Sequence, residues 1–124
     1  MASVLVVSGP SEGLYYPLGK RTIVVGRDES ATMQIVDDRV SRKHVQFRFD
    51  EASAAYFVLD MKSSNGTFVN GRPLLTDLKL ADGDEIQIGN SKLVFTTGDF
   101  ADGQSALEAF KQRGQKARST IAQR

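Results

Sequence analysis

The chain has 124 residues, 40% apolar and 25% charged, with a formal net charge of +1. That length supports one hydrophobic core and is too short for two, and the near-neutral balance gives no bulk attraction to nucleic acid. The absence of cysteine excludes disulfides, thiolate metal sites and cysteine nucleophiles together.

The first residues, Met-Ala-Ser-Val-Leu-Val-Val, lack a basic n-region, and their apolar run is far below membrane-spanning length. A cytoplasmic protein is therefore expected. Short runs rich in Val, Ile, Phe and Tyr then recur at the spacing of an all-β sandwich. In chain order they predict strands at Val4–Val7, Leu14–Leu18, Thr22–Val25, Met33–Val36, His44–Phe49, Tyr56–Leu59, Thr67–Val69, Glu85–Ile88 and Lys92–Thr96. Turn clusters separate them, among them Gly9-Pro10, Asp37-Asp38, Asn65-Gly66, Asn70-Gly71, Asp82-Gly83 and Gly89-Asn90. Asn65-Gly66 and Asn70-Gly71 both read as hairpin turns. Val45, Phe47 and Phe49 alternate with Gln46 and Arg48, the pattern of a strand with one buried and one wetted face.

The composition changes at Gly98. Ser105 with Glu108 forms a capping box ahead of Leu107 and Phe110, predicting one short helix that ends near Gly114. Lys111, Arg113, Lys116, Arg118 and Arg124 then follow without an acid, so a partly disordered, solvated basic tail is expected. A partner-binding or nucleic-acid arm is the other reading of that tail. The expected organisation is an all-β domain over residues 1–97 and a C-terminal extension over 98–124, a short helix and then the basic tail.

Catalysis finds little support. Ser41 and His44 invite a nucleophile–base reading, but the spacing does not set Oγ against an imidazole nitrogen, and no G-x-S-x-G elbow is present. His44 is the single histidine and no EF-hand-like spacing exists, so no metal and no cofactor are expected. Gly66 to Pro73 superficially matches a phosphate loop, yet Pro73 has no hydroxyl for Mg²⁺ and no helix follows. Asn65-Gly66-Thr67 is also a glycosylation sequon, of little meaning without a secretion signal. The chain is expected not to be an enzyme.

The segment Asp60–Gly71 is a polar, glycine-punctuated loop between strand-like runs, rich in hydroxyl, amide and backbone donors suited to an oxyanion. Gly26-Arg27 and Ser41-Arg42-Lys43-His44, upstream, offer the positive charge. These segments, followed by Gly83-Asp84 and Ile88-Gly89, resemble in their order the forkhead-associated (FHA) domain over roughly residues 3–97. Each piece alone is a common dipeptide; the ordered set within the strand-like runs carries the resemblance. The resemblance implies an FHA/SMAD-like β-sandwich of about eleven strands that binds phosphothreonine in partner proteins through loops at one end. It implies that Arg27 pairs with the phosphate, that Ser41 and Ser64 donate hydroxyls to it, that Arg42 adds a contact, and that Asn65 grips the ligand main chain. Gly26, His44, Gly66, Thr67 and Asn70 are implied as structural support, and Asp60 as a fixer of loop shape. One departure is Thr32, where family members often carry an acid.

The physics of the residues agrees. A phosphothreonine carries about −1.5 to −2 charge and three acceptor oxygens, and the planar fork of Arg matches two of them at once, which Lys cannot do. Plainer readings stand beside these roles: Arg27 as a surface cation paired to Asp28 or Glu29, Ser41 as a turn cap, Arg42 and Lys43 as a solvated face, Asn65 as a turn residue only. The expected function is a phosphothreonine-dependent protein–protein interaction module, an adaptor whose partners are phosphorylated proteins, Ser/Thr kinases or their substrates. The alternative is a phosphate-independent interaction or oligomerisation module on the same fold, using a sheet face. Thr120, in basic context, is a candidate phosphorylation site for capture by the domain's own pocket or a neighbour's.

Overall fold

A computed structural model describes residues 2–98, 100 and 102–122, with side chains as far as Gln112. Among the described residues there are eleven strands and one helix: β1 (Ser3–Ser8), β2 (Tyr15–Pro17), β3 (Ile23–Gly26), β4 (Met33–Gln34), β5 (Val45–Asp50), β6 (Ala55–Asp60), β7 (Thr67–Val69), β8 (Arg72–Pro73), β9 (Leu78–Lys79), β10 (Glu85–Ile88), β11 (Ser91–Thr96) and α1 (Gly103–Ala122). They form a six-stranded sheet, β2-β1-β11-β10-β7-β8, and a five-stranded sheet, β4-β3-β5-β6-β9. Among the described residues only the β3–β4 pair is parallel.

The two sheets face each other across a core that includes Val4, Val6, Ile23, Val25, Phe47, Val58, Ile86 and Leu93, all fully buried. At about 1.5–3 kcal/mol for each large apolar side chain removed from water, this layer is the main stabilising contribution. The alternation predicted for β5 is present: Val45 and Phe47 are buried, Gln46 is half-buried and Arg48 exposed.

The nine predicted strands all exist; Thr67–Val69 and Glu85–Ile88 match at both ends, and the others have ends shifted by at most two residues. The two that sequence reading missed, β8 and β9, have two residues each and lie at the sheet edges. No period of two is measurable over two residues, and Pro73 argues against a strand except at an edge. Asn70-Gly71 is the expected hairpin, a two-residue loop between Val69 and Arg72 with φ of +51° and +82°. Asn65-Gly66 is not a hairpin. It lies in the six-residue connection 61–66 that leaves β6 in one sheet and enters β7 in the other.

The C-terminal region also differs from expectation. Asp102, not Ser105, caps α1: its Oδ1 accepts the Ser105 N–H at 2.9 Å, and its carbonyl accepts the Ala106 N–H at 3.2 Å. The helix runs through Gly114 to Ala122, since a single glycine inside a helix costs only about 1 kcal/mol against alanine. Its first half packs on the outer face of the six-stranded sheet, where Leu5, Val7, Val94 and Ala106 form a second buried cluster flanked by Tyr15, Phe100, Leu107 and Phe110. The unbroken apolar run of β1 follows from this, because both of its faces are covered. The side chains of Lys116, Arg118, Thr120 and Arg124 lie outside the described residues. No described helix is long and apolar enough to cross a membrane.

The feature that positions the site is the five-stranded sheet. Val45 pairs with Val25 on one side and Asp60 on the other, so the end of β3, the start of β5 and the end of β6 lie side by side. Three adjacent strands thus deliver three loops to one end of the sandwich: 27–32 after β3, 41–44 before β5 and 61–66 after β6.

Candidate functional site

His44 is fully buried at the centre of these loops. Its Nδ1 accepts the Ser41 backbone N–H at 3.0 Å, and its Nε2 lies 2.8 Å from the Gly66 carbonyl oxygen. An acceptor at Nδ1 leaves the ring proton on Nε2, where it is donated to Gly66. The imidazole therefore ties loop 41–44 to loop 61–66. It does not address the Ser41 hydroxyl, so the pair has no nucleophile–base geometry.

Ser41 is the second tie. Its Oγ accepts the Ser64 backbone N–H at 3.0 Å, and its carbonyl accepts the Arg27 N–H at 3.0 Å. Ser41 is half-buried and Ser64 exposed, and the hydroxyl protons of both remain to be donated. Gly26 lets the first two loops meet: a Cβ there would collide with the Arg42 carbonyl. That carbonyl instead accepts the Asp28 N–H at 3.2 Å.

Arg27 is exposed, and its guanidinium is fixed at one point, Nε donating to the Val40 carbonyl at 3.0 Å. Nη1 and Nη2 are thereby left for an external acceptor. No carboxylate among the described residues pairs with it. The Asp28 carboxylate accepts the Ser30 hydroxyl at 2.6 Å instead, a bond that, together with the nearby Arg42 charge, holds its pKa below the ordinary 3.8.

Loop 61–66 is shaped from beneath by Asp60. Its Oδ1 accepts the hydroxyls of Ser63 at 2.5 Å and of buried Thr67 at 2.7 Å, and its Oδ2 accepts the Ser63 N–H at 3.0 Å. Burial alone pushes the Asp60 carboxyl up; the Ser63 and Thr67 bonds outweigh it and hold the pKa below 3.8. Gly66 takes φ of +80° with open space around its Cβ position, so backbone conformation and not room demands glycine. Asn65 is exposed and donates Nδ2 to the Arg39 carbonyl at 2.8 Å, leaving its Oδ1 available.

Two of these anchors, the Val40 and Arg39 carbonyls, belong to a segment that sequence reading took for a plain turn. Asp37 holds it in place, buried and accepting the Ser91 hydroxyl at 2.7 Å, the Asn90 N–H at 2.9 Å and the Arg39 N–H at 3.0 Å. Burial raises its carboxyl and these donors lower it further, to a value below 3.8. A buried aspartate beside exposed Asp38 has no signature in one sequence, except that Val40 next to it is an apolar residue among charged ones.

Arg27, Ser41, Arg42, Ser64 and Asn65 are thus carried on adjoining loops, with Gly26, His44, Gly66, Thr67 and Asp60 beneath or between them. Asn70 stands apart. It sits at the far end of β7, giving Nδ2 to Asp84 at 3.0 Å and accepting the Glu85 N–H at 2.9 Å.

The family profile of the FHA domain matches residues 23–89 of this chain, which spans β3 through the β10–β11 turn and contains every loop described above. The chain belongs to the FHA-domain family. Among its relatives, the glycogen accumulation regulator GarA of Mycolicibacterium smegmatis is 39% identical over 101 residues, covering 82% of this chain and 62% of that protein. An oxoglutarate dehydrogenase inhibitor of Corynebacterium diphtheriae is 40% identical over 98 residues, covering 78% and 66%. The chain thus matches less than two thirds of the length of GarA. Of the solved FHA structures, one from work on phosphothreonine-dependent FHA domain interactions superposes with a TM-score of 0.69 at 29% identity, covering 80% of this chain and 98% of that one. The FhaA FHA domain complexed with the intracellular domain of Rv3910 gives 0.67 at 30% identity, covering 77% and 99%. Both relatives are named as a regulator or an inhibitor.

Proposed function

We propose that this FHA domain binds phosphothreonine in partner proteins and serves as an adaptor in Ser/Thr kinase signalling. Arg27 takes two phosphate oxygens through Nη1 and Nη2; the Ser41 and Ser64 hydroxyls donate to the phosphate, and Arg42 adds charge. Asn65 holds the ligand main chain through its Oδ1. The observation that supports this reading is the Nε–Val40 tether of a guanidinium with no carboxylate partner among the described residues, on a residue whose backbone N–H is bonded to the Ser41 carbonyl. Hydrogen bonds to a charged group contribute about 1.5–3 kcal/mol each, so three of them with some peptide burial reach about −8 kcal/mol, a micromolar complex. Relatives named as inhibitors of oxoglutarate dehydrogenase make that enzyme a partner to test first.

The deciding experiment is a calorimetric titration with matched phosphothreonine, phosphoserine and unmodified peptides, against wild type and Arg27→Ala. Binding of the phosphothreonine peptide should weaken by about 2 kcal/mol or more in Arg27→Ala, as expected for a lost bidentate contact. Equal affinity for plain and phosphorylated peptides, or no loss on removing Arg27, overturns the proposal.

A further inference from the structure

The outer faces of the two sheets are unequal. The six-stranded sheet is covered by α1, whereas no described element lies over the five-stranded one. There the register sets Phe57 between Arg48 on β5 and Lys79 on β9, with Leu59 one pair further along β6 on the same face. Phe57 and Leu59 are half-buried, and Arg48 and Lys79 are exposed. Arg48 and Phe57 also line an open cavity of about 310 Å³ with Asp50 and Asp77, so acids border the same apolar centre that the cations flank. Among the described residues the ion pair found is Lys92–Glu85, on the other sheet, and neither Arg48, Lys79 nor Asp77 has an ionic partner. Asp50 is partly used, its Oδ2 accepting the Ser53 N–H and hydroxyl.

We infer that this face is a weak, symmetric self-association surface whose occupant is a second copy of the chain. The charges select that occupant. A patch with two cations and two acids around an aromatic centre offers no net attraction to an acidic or a basic partner. It is complementary to itself under a two-fold axis, where Arg48 of one copy meets Asp77 of the other around paired Phe57 rings. The isolated charges on the rim fix register, and the aromatic centre supplies the desolvated area. The inference is independent of phosphothreonine binding, because none of these residues belongs to the recognition loops.

The test is sedimentation equilibrium of the full chain at low salt, from about 10 μM to about 1 mM, the range of weak encounters with small interfaces. Wild type should rise from the mass of one chain toward two, and no further. Phe57→Glu and the rim variant Lys79→Glu should remain at one chain. Arg48→Asp and Asp77→Arg should each weaken association at least tenfold, and the double variant should recover it. Circular dichroism of each variant serves as the folding control, and a phosphothreonine peptide titrated in parallel separates this result from that of the binding site. A wild type that stays monomeric throughout overturns the inference, as does a Phe57→Glu chain that associates as well as wild type. Association of the double swap weaker than that of both single variants overturns the Arg48–Asp77 pairing.

Discussion

Two Asn-Gly dipeptides five residues apart, at the two ends of β7, have the same sequence signature and opposite positions in the molecule. Asn70-Gly71 closes a hairpin within one sheet, and the side-chain bonds of Asn70 reach only the start of the neighbouring β10, at Asp84 and Glu85. Asn65-Gly66 ends a connection between sheets, and its bonds reach across the sequence: Asn65 to Arg39, 26 residues away, and the Gly66 carbonyl to His44, 22 residues away. The first is a local turn whose loss stays local. The second is one corner of a lattice, so damage to any other corner should reach it.

The sharpest break in that contrast is His44→Ala. The substitution leaves a cavity and orphans two backbone groups, the Ser41 N–H and the Gly66 carbonyl. The cavity and the unmet hydrogen bonds together cost about 3 kcal/mol or more, a fall in Tm on the order of 10 °C for a domain of this size. Phosphopeptide binding should vanish with it at temperatures where circular dichroism still reports folded chain. Peptide affinity within twofold of wild type would mean that the two loops are positioned independently.

How much of this was legible in the sequence follows the same division. Val45, Phe47 and Phe49 announce a half-buried strand because a period of two over six residues is a property of the chain alone. Asn70-Gly71 announces its hairpin because positive φ at two successive positions is a demand those residues meet unaided. The resemblance also named Arg27, Ser41, Ser64, Asn65 and His44, the residues now found on adjoining loops. What one sequence does not carry is which carbonyl each of them would meet. Val40 and Arg39 anchor Arg27 and Asn65 through main-chain oxygens, which leave no trace in residue identity, and Asp37 does its work only because Ser91 and Asn90 return to it from more than 50 residues away. Likewise, nothing in Ser105–Glu108 reveals that Asp102 takes the cap first.

A smaller effect is expected at the floor of the lattice. Asp60 has its pKa lowered below 3.8 in the folded chain, so it binds fewer protons folded than unfolded just below that value. Its contribution to stability is present above the unfolded value and is lost as pH falls through the folded one. Asp60→Asn removes that dependence and sets an amide against the Ser63 N–H, at a cost of about 2 kcal/mol near neutral pH. Urea unfolding of wild type and variant between pH 6 and pH 2.5 should show the gap narrowing on acidification. A gap that is constant with pH would assign the cost to shape and not to charge.

The smallest effect tests the comparison most directly, by pairing Asn65→Ala with Asn70→Ala. Each removes side-chain hydrogen bonds at an exposed position, one for Asn65 and two for Asn70, worth about 0.5–1.5 kcal/mol apiece. Asn70 also holds φ of +51°, which alanine tolerates less well. Asn70→Ala should therefore cost as much stability as Asn65→Ala or more, about 1–2 kcal/mol in denaturant unfolding. Their binding should invert. Asn70→Ala should keep phosphopeptide affinity within twofold, because its lost bonds end at Asp84 and Glu85. Asn65→Ala should lose about tenfold, through the freed tether to Arg39 together with the missing Oδ1. Equal losses of affinity from both would show that β7 transmits strain along its length, and the distinction between a local turn and a lattice corner would fail.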